Sequence, residues 1–179
     1  MNFTIRTAQR SDVPYIESLI NESVQGLAAE DYSKEQIDGA LKKAWGVDTQ
    51  LIDDSTYFVV HAGTQLIGCG GWSFRETLFG NDSEVDRNPK ELDPMTDAAK
   101  IRAFFVKPSR ARTGIGSALM KKCEDAACAK GFHRLELMAT LPGQRLYSRH
   151  GFEAAESIEY TLGGDLFITF VPMKKDLEG

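Results

Sequence analysis

The sequence predicts a mixed α/β fold in which one central sheet carries helices on both of its faces. Two observations support this fold class. Runs whose apolar residues alternate, as in a strand, are interspersed with longer runs whose apolar residues recur at helical spacing. Strand-like runs in the middle and at the end of the chain come in pairs joined by tight turns, which indicates neighbouring antiparallel strands. We therefore expect a mostly antiparallel sheet of about six or seven strands.

The size of the chain fits one domain. The chain has 179 residues, of which 42% are hydrophobic and 26% are charged. These fractions are ordinary for a globular protein that buries its own core. We expect residues 1–179 to form a single domain with one loop insertion at about 75–99.

The chain is expected to open with a strand and two helices. A strand at 3–6 is followed by a helix that begins after Ser11, a residue suited to the N-cap, and ends near Gln25. Ser33 gives the same signal for a second helix, which ends near Gly46. The apolar stripes of both helices are most simply explained by packing in the core.

A hairpin and a long loop follow. Strand patterns at 57–62 and 66–73 flank a short turn, and the second strand contains Gly70 and Gly71. Glycine inside a strand indicates a bulge or the close approach of another group, although tight packing of a helix on the sheet explains the pair equally well. From 75–99 the periodicity stops and glycine, proline, asparagine and acidic residues dominate, which predicts a long loop.

The second half of the chain alternates strands and helices. The predicted elements are a strand, a helix, a strand, a short helix and a final hairpin, at 100–106, 114–130, 134–139, 144–150 and 158–170. The long helix ends at Lys130 and Gly131, a basic last turn followed by a C′ glycine. The charged tail from Lys174 onward is expected to fray.

The junction between the fourth predicted strand and the long helix is typical of an anion site. Its turn contains Arg110, Arg112 and Thr113, and Gly114 and Gly116 open the helix. The first N–H groups of a helix lack helical partners and carry partial positive charge, so a phosphate can accept from them. Because glycine lets a phosphate approach the backbone closely, the junction predicts a ligand that carries phosphate.

Charge, cysteine content and absent motifs exclude several classes of protein. The net charge of −5 argues against a general affinity for nucleic acid or for an anionic membrane. Cys69, Cys123 and Cys128 form no C-x-x-C pair, so we expect neither disulfides nor a metal site, and we interpret them as small buried or half-buried hydrophobes. No signal peptide and no apolar run of about 20 residues is visible, so a cytoplasmic location is expected. Motifs for nucleoside triphosphates, dinucleotides and α/β-hydrolase chemistry are missing.

Two motifs carry a family resemblance. The run Val-x-Pro-x-x-x-Arg-x-Gly-Ile-Gly-x-Ala-Leu begins at Val106, and Leu-Tyr-x-x-x-Gly-Phe begins at Leu146. Together they resemble the GCN5-related N-acetyltransferase (GNAT) superfamily, specifically over 101–152. The resemblance implies a GNAT-like fold and an acetyl-CoA-dependent N-acetyltransferase that moves acetyl to a primary amine by direct attack in a ternary complex. The family's Gln or Arg in the pyrophosphate turn is Ala111 here, so backbone amides are expected to bind most of the anion.

The resemblance also implies a site. The diphosphate of acetyl-CoA is expected on the turn at 112–117, and the amides of the pantetheine arm along the strand edge that ends at Val106. A backbone N–H of that strand is the expected oxyanion donor, and Tyr147 is the implied general acid for the departing thiolate. The full set of expected cofactor-binding residues is Phe104, Phe105, Val106, Arg110, Arg112, Thr113, Gly114, Ile115, Gly116 and Ser117. Whether Arg110 or Arg112 contacts phosphate stays open.

The acceptor side of the reaction is less defined. No carboxylate lies in the fourth strand, and Glu76, Asp93 and Asp97 are the nearest candidate bases by chain position, although capture of a free amine needs no strong base. The acidic loop could bind the acceptor amine beside the active site, or it could be a solvent-exposed surface loop. Trp72 and Phe74 could line an acceptor pocket, or they belong to the core. The acceptor amine could be a small molecule or a peptide: polyamines, antibiotics, amino acids and protein N-termini all stay open.

A non-catalytic acyl-CoA-binding or regulatory module on the same fold is the alternative function. The tyrosine of the second motif favours the enzyme, because a module that only binds needs no acid. Nothing in the sequence decides the oligomeric state, and a homodimer is compatible with it.

Overall fold

The computed structural model describes residues 2–82 and 90–177. These residues form eight strands, five α-helices and two 3-10 turns, at Arg10–Asp12 and Pro108–Arg110. The strands are β1 (Thr4–Thr7), β2 (Tyr57–Ala62), β3 (Gln65–Ser73), β4 (Ala99–Val106), β5 (Arg134–Ala139), β6 (Glu153–Ala154), β7 (Ile158–Gly163) and β8 (Leu166–Asp176). The helices are α1 (Val13–Leu27), α2 (Lys34–Lys43), α3 (Thr49–Asp53), α4 (Ile115–Ala129) and α5 (Gln144–Arg149).

All eight strands belong to one sheet. The order is β1-β2-β3-β4-β5-β8-β6, and β7 pairs with the first half of β8. Only β4 and β5 run parallel, and every other pair is antiparallel. One core cluster lies under α1 to α3 and the other under α4 and α5. The predicted fold class is confirmed, with eight strands in place of six or seven because the two-residue β6 adds a short pairing to β8.

The parallel strands β4 and β5 diverge soon after they meet. Their pairing consists of Ala99 with Leu135 and Lys100 with Glu136. Beyond Lys100, β5 continues to pair with β8 as far as Ala139, while β4 pairs only with β3. A gap therefore opens between the C-terminal ends of two neighbouring strands, and the last four residues of β4 are only half-buried.

A bulge in β4 lies beside this gap. The register of β3 and β4 shifts opposite Gly70, and Ala103 adopts a left-handed φ of 54°. A Cβ on Gly70 would lie 2.7 Å from the ring of Phe104, and one on Gly71 would lie 2.6 Å from the backbone oxygen of Thr56. The predicted bulge and close approach are both confirmed, and packing of a helix is not the reason for this glycine pair.

Several local details differ from the expectations. The N-cap residue of α1 is Asp12 and not Ser11, because a 3-10 turn precedes the helix. The N-cap at Ser33 is confirmed, since its hydroxyl accepts from the N–H of Gln36 at 3.2 Å. The five-residue helix α3 was not predicted. The expected frayed tail is wrong for Lys174 to Asp176, which pair with β5.

The aromatic pair and the cysteines also have defined places. Trp72 and Phe74 lie in the core cluster under α4, where Trp72 packs edge-on against Phe132. Two of the three cysteines are buried as expected, but Cys128 is exposed. Of the helices in the described ranges, none has the length and apolarity that crossing a membrane requires.

Candidate active site

A cavity of about 780 Å³ occupies the gap between the diverging ends of β4 and β5. One end is formed by the turn that leads into α4 and by α5 with the loop before it. The other end is formed by residues 44–46, which follow α2, and by residues 78–80 of the long loop, and the end of α1 with the residues after it lines the cavity as well. The half-buried end of β4 runs between the two ends and connects them.

Nearly all of the residues predicted from the motifs line this cavity. They are Phe104, Phe105, Val106, Arg110, Arg112, Gly114, Ile115, Gly116, Ser117 and Tyr147. Thr113 is the exception and does not line the cavity. Its hydroxyl donates to the backbone oxygen of Arg110 at 2.6 Å and so stabilises the turn. The structure therefore brings the predicted residues together, while their contact with a ligand stays a prediction.

The turn before α4 exposes unpartnered backbone donors to the cavity. Gly114 is the N-cap residue and has a left-handed φ of 90°, and Arg112 has a φ of 61°. The N–H of Ala118 donates to the oxygen of Gly114 at 3.0 Å, so the preceding N–H groups of the first turn lack helical acceptors. No heavy atom lies within 4 Å of the position that a Cβ on Gly114 would occupy, so a ligand can reach this backbone.

Arginine side chains add to the positive charge of this end. Arg110 and Arg112 come from the turn, and Arg145 and Arg149 come from α5 across the cavity. The α5 pair was missed, although its spacing of four residues places both side chains on one side of that helix. Guanidinium groups and a helix N-terminus favour the same ligand group, a phosphate or diphosphate.

Tyr147 lies in the middle of the cavity wall. Its ring packs against Phe104 and Phe152, with centroids 6.2 and 6.0 Å away. Within the described residues its hydroxyl makes no hydrogen bond. Burial, with a smaller contribution from Cys123, raises the pKa of this phenol well above its usual value. Tyr147 therefore stays protonated at neutral pH and can act as a hydrogen-bond donor or an acid.

Side chains from neighbouring elements hold the backbone of the bulge. The hydroxyl of the fully buried Tyr57 donates to the backbone oxygen of Ala103 at 2.9 Å. The N–H of Val106 donates to the hydroxyl oxygen of Ser23 at 3.3 Å. These bonds fix the strand on either side of Phe104 and Phe105, which line the cavity. Neither side chain was predicted, since each contacts β4 from a distant part of the chain.

The far end of the cavity has aromatic walls and an acidic rim. The rings of Trp45 and Phe79 pack on Phe170, with centroid distances of 6.5 and 5.9 Å. Glu30 and Asp31 lie at the rim, just after α1. The sequence contained no signal for these two carboxylates, because they follow the helix without any motif.

The candidate bases chosen by chain position do not line the cavity. Glu76 forms an ion pair with Lys90 at 3.1 Å, and Asp97 accepts from the backbone N–H of Asp93 at 2.7 Å. In residues 2–82 and 90–177 no cluster of three or more metal-ligating side chains occurs.

A buried ion pair supports the wall that carries Phe79. The side chains of Arg102 and Asp48 are 2% and 3% exposed, and their charged atoms are 2.8 Å apart. Arg102 also donates to the backbone oxygens of Thr77 and Gly80, at 2.8 and 2.9 Å. This arginine therefore fixes the loop segment on both sides of Phe79.

Comparison with known families identifies the architecture. The model of the "Acetyltransferase (GNAT) family" matches residues 17–152. The chain belongs to the GNAT acetyltransferase family. Membership confirms the predicted family and the predicted enzyme class, an acetyl-CoA-dependent N-acetyltransferase. No curated protein matches the sequence.

Solved structures of GNAT proteins share this fold over their whole length. A GCN5-related N-acetyltransferase from Rhodopseudomonas palustris has a TM-score of 0.72 at 17% identity, covering 99% of this chain and 97% of that one. The PaiA N-acetyltransferase from Thermoplasma acidophilum, solved with coenzyme A, has a TM-score of 0.66 at 16% identity, covering 98% and 99%. The ribosomal-protein-S18-alanine N-acetyltransferase from Escherichia coli has a TM-score of 0.60 at 15% identity, covering 99% and 96%. At these identities the likeness shows the fold.

Gly114→Ala is expected to weaken acetyl-CoA binding to this GNAT acetyltransferase. A left-handed backbone at a residue with a Cβ costs about 1–2 kcal/mol, and the methyl group would stand where the ligand approaches. The unliganded turn can relax this strain, whereas binding must restore the left-handed backbone, so we expect the KM for acetyl-CoA to rise about tenfold, the factor that corresponds to about 1.4 kcal/mol. Gly63→Ala is the matched control, because Gly63 has a φ of 60° and equally open space in the β2–β3 turn. Equal effects of the two variants on KM would contradict this role for Gly114.

Tyr57→Phe is expected to lower both stability and kcat. The oxygen of Ala103 loses its donor, which costs about 0.5–1.5 kcal/mol of unfolding free energy because this part of β4 is half-buried. The bulge is then free to shift, so kcat should fall up to about tenfold. Thr56→Val controls for stability, because it removes a buried hydroxyl that contacts the oxygen of Leu51 at 3.3 Å. Denaturant unfolding and steady-state kinetics measure both effects, and a kcat equal in the two variants would refute a positioning role for Tyr57.

Proposed function

We propose that this GNAT acetyltransferase binds acetyl-CoA in the gap between β4 and β5 and transfers the acetyl group to a primary amine that enters from the aromatic end. The divergence of two parallel strands directly before the N-terminus of α4 is the observation that carries this proposal. It combines, in one cavity, an anion site, a strand edge and a buried phenol. This combination fits a diphosphate, a diamide arm and a thioester, in that order.

The turn and β4 are proposed to bind acetyl-CoA. The backbone donors at 112–117 would receive the diphosphate, assisted by Arg110, Arg112 and the two arginines of α5. The edge of β4 that faces away from β3 would pair with the amides of the pantetheine arm, as in strand addition. Both contacts would be made by the backbone, which is compatible with Ala111 at the position where the family resemblance implies Gln or Arg.

Tyr147 is proposed as the acid of the transfer step. Acetyl-CoA supplies the acetyl group as a thioester, whose carbonyl carbon is attacked by the lone pair of the neutral amine while the carbon–sulfur bond breaks. Tyr147 would donate its proton to the departing thiolate and regain one from solvent. The attacking nitrogen loses one proton to water, which balances the proton that Tyr147 regains, so the neutral amine and acetyl-CoA give the amide and the free thiol. An acceptor that arrives as an ammonium ion releases one further proton before it attacks. An N–H of β4 near the bulge is the proposed oxyanion donor.

Thiol release tests this function. The protein is incubated with acetyl-CoA and a panel of primary amines, while calorimetry measures acetyl-CoA binding separately. Amine-dependent release of one thiol per acetylated amine is the expected result. Tight binding of acetyl-CoA without release for any amine would favour the alternative, a non-catalytic acyl-CoA-binding module.

A further inference from the structure

We infer that the acceptor is a primary amine that is cationic in solution, has an apolar, ring-sized body and lacks a carboxylate. This inference rests on the proposed function. The residues that select such an amine are Glu30 and Asp31 at the rim and Trp45 and Phe79 in the wall.

The two ends of the cavity have opposite electrostatic character. At the acetyl-CoA end, the N-terminus of α4 and four arginines are positive. At the far end, Glu30 and Asp31 are negative, and α1, whose C-terminus carries partial negative charge, ends just before them with no basic residue in its last turn. A cavity polarised in this way attracts an anionic ligand at one end and a cationic one at the other.

Glu30 and Asp31 strengthen the negative end. Both are exposed, and neither forms an ion pair with a described residue. By contrast, Glu22, which lies earlier on α1, forms an ion pair with Lys107 at 3.2 Å. A carboxylate beside a helix C-terminus is unfavourable in the free protein. A cationic ligand at the rim relieves this repulsion.

The wall beyond the rim is apolar and offers one free donor. Trp45 is only 7% exposed and lines the cavity, yet its indole N–H has no hydrogen-bond acceptor among the described residues. No fully buried side-chain nitrogen or oxygen in the described ranges lacks a partner, so this N–H is open to the cavity. With Phe79 and Phe170 it makes a surface suited to a ring.

Among the described residues that line this end, a carboxylate on the acceptor meets no uncompensated counter-charge. The cation that lines this end, Arg102, is buried against Asp48 at 2.8 Å and is already neutralised. A zwitterionic amino acid would bring its carboxylate toward Glu30 and Asp31. The site therefore disfavours amino acids, and its wall buries more apolar surface of a ring than of a chain that ends in a second, strongly hydrated ammonium group.

The test compares three acceptors at saturating acetyl-CoA. They are 2-phenylethylamine, phenylalanine, which adds a carboxylate to the same body, and 1,4-diaminobutane, which replaces the ring with a second ammonium. We expect kcat/KM for 2-phenylethylamine to exceed both others by at least about tenfold, the scale on which an apolar pocket discriminates. A higher kcat/KM for either of the others overturns the inference.

Two variants separate selection by charge from selection by the ring. The double variant Glu30→Gln with Asp31→Asn should raise the KM for 2-phenylethylamine and weaken its dependence on salt, with the KM for acetyl-CoA unchanged. Glu17→Gln, at an exposed carboxylate of α1 away from the cavity, is the matched control. Phe79→Leu should lower kcat/KM for 2-phenylethylamine more than it lowers kcat/KM for 1,4-diaminobutane.

The outcomes distinguish this inference from the proposed function. Thiol release with any amine supports the function. Thiol release combined with an unchanged KM in the double variant, or an unchanged preference in Phe79→Leu, refutes the acceptor assignment alone. Binding of acetyl-CoA without thiol release for any amine refutes the function, and the acceptor assignment falls with it.

Discussion

Tyr147→Phe is expected to bind acetyl-CoA as the wild-type protein does and to lose turnover by about 10²–10⁴-fold, the contribution typical of a general acid. The substitution keeps the ring that packs between Phe104 and Phe152. It removes only a hydroxyl that bonds to no described residue. Folding and binding should therefore be preserved while the departing thiolate loses its proton donor.

Steady-state kinetics and calorimetry with acetyl-CoA measure the two effects separately. The loss should shrink with an acetyl thioester of a more acidic thiol, because a better leaving group needs less protonation. Tyr15→Phe, at a residue that is 68% exposed, serves as the control. Turnover that is unchanged in Tyr147→Phe would remove this residue from the acid role.

Asp48→Ala is expected to lower the free energy of unfolding by about 3–5 kcal/mol, because it leaves the charge of Arg102 buried and without its carboxylate. The variant also removes the side chain that caps α3 by accepting from the N–H of Gln50 at 3.1 Å. In a chain of this length each kcal/mol corresponds to about 2–4 °C in Tm. The Tm should therefore fall by at least about 6 °C.

An exposed ion pair provides the comparison. Arg10 and Asp53 form a bidentate pair whose side chains are 60% and 47% exposed. Asp53→Ala should cost no more than about 1 kcal/mol, since solvent screens such pairs. Similar losses in the two variants would show that burial does not govern the contribution of Asp48. The double variant Asp48→Leu with Arg102→Met should recover much of the stability, because no buried charge remains.

The part of the site that sequence could predict is contiguous in the chain. The turn from Arg110 to Ser117 and the start of α4 form from neighbouring residues, so a local motif reports the local geometry. Tyr147 could be predicted for the same reason, because it lies within a seven-residue motif. The order of helices and strands along the chain followed from hairpins and periodicity, which are also local signals.

What sequence could not predict depends on contacts between distant residues or on missing periodicity. Tyr57 contacts the oxygen of a residue 46 positions later, and Arg102 pairs with a carboxylate 54 positions earlier. Glu30 and Asp31 line the cavity only because the folded chain brings the end of α1 to it, and no local pattern indicates this. The helix α3, with five residues, is too short for a 3.6-residue period to be recognised.

The divergence of β4 from β5 leaves a strand edge in the middle of the sheet. Proteins usually shield such edges at the periphery, because an unpaired strand invites pairing with other chains. Here the proposed partner of the edge is a small molecule. Acetyl-CoA would occupy the position of a neighbouring strand, and unlike a strand it can dissociate. Ligand at 100 times its Kd adds about 2.7 kcal/mol to the stability of the folded state. If acetyl-CoA binds as proposed, we therefore expect scarcity of the acetyl donor to favour unfolding and degradation of the enzyme that consumes it.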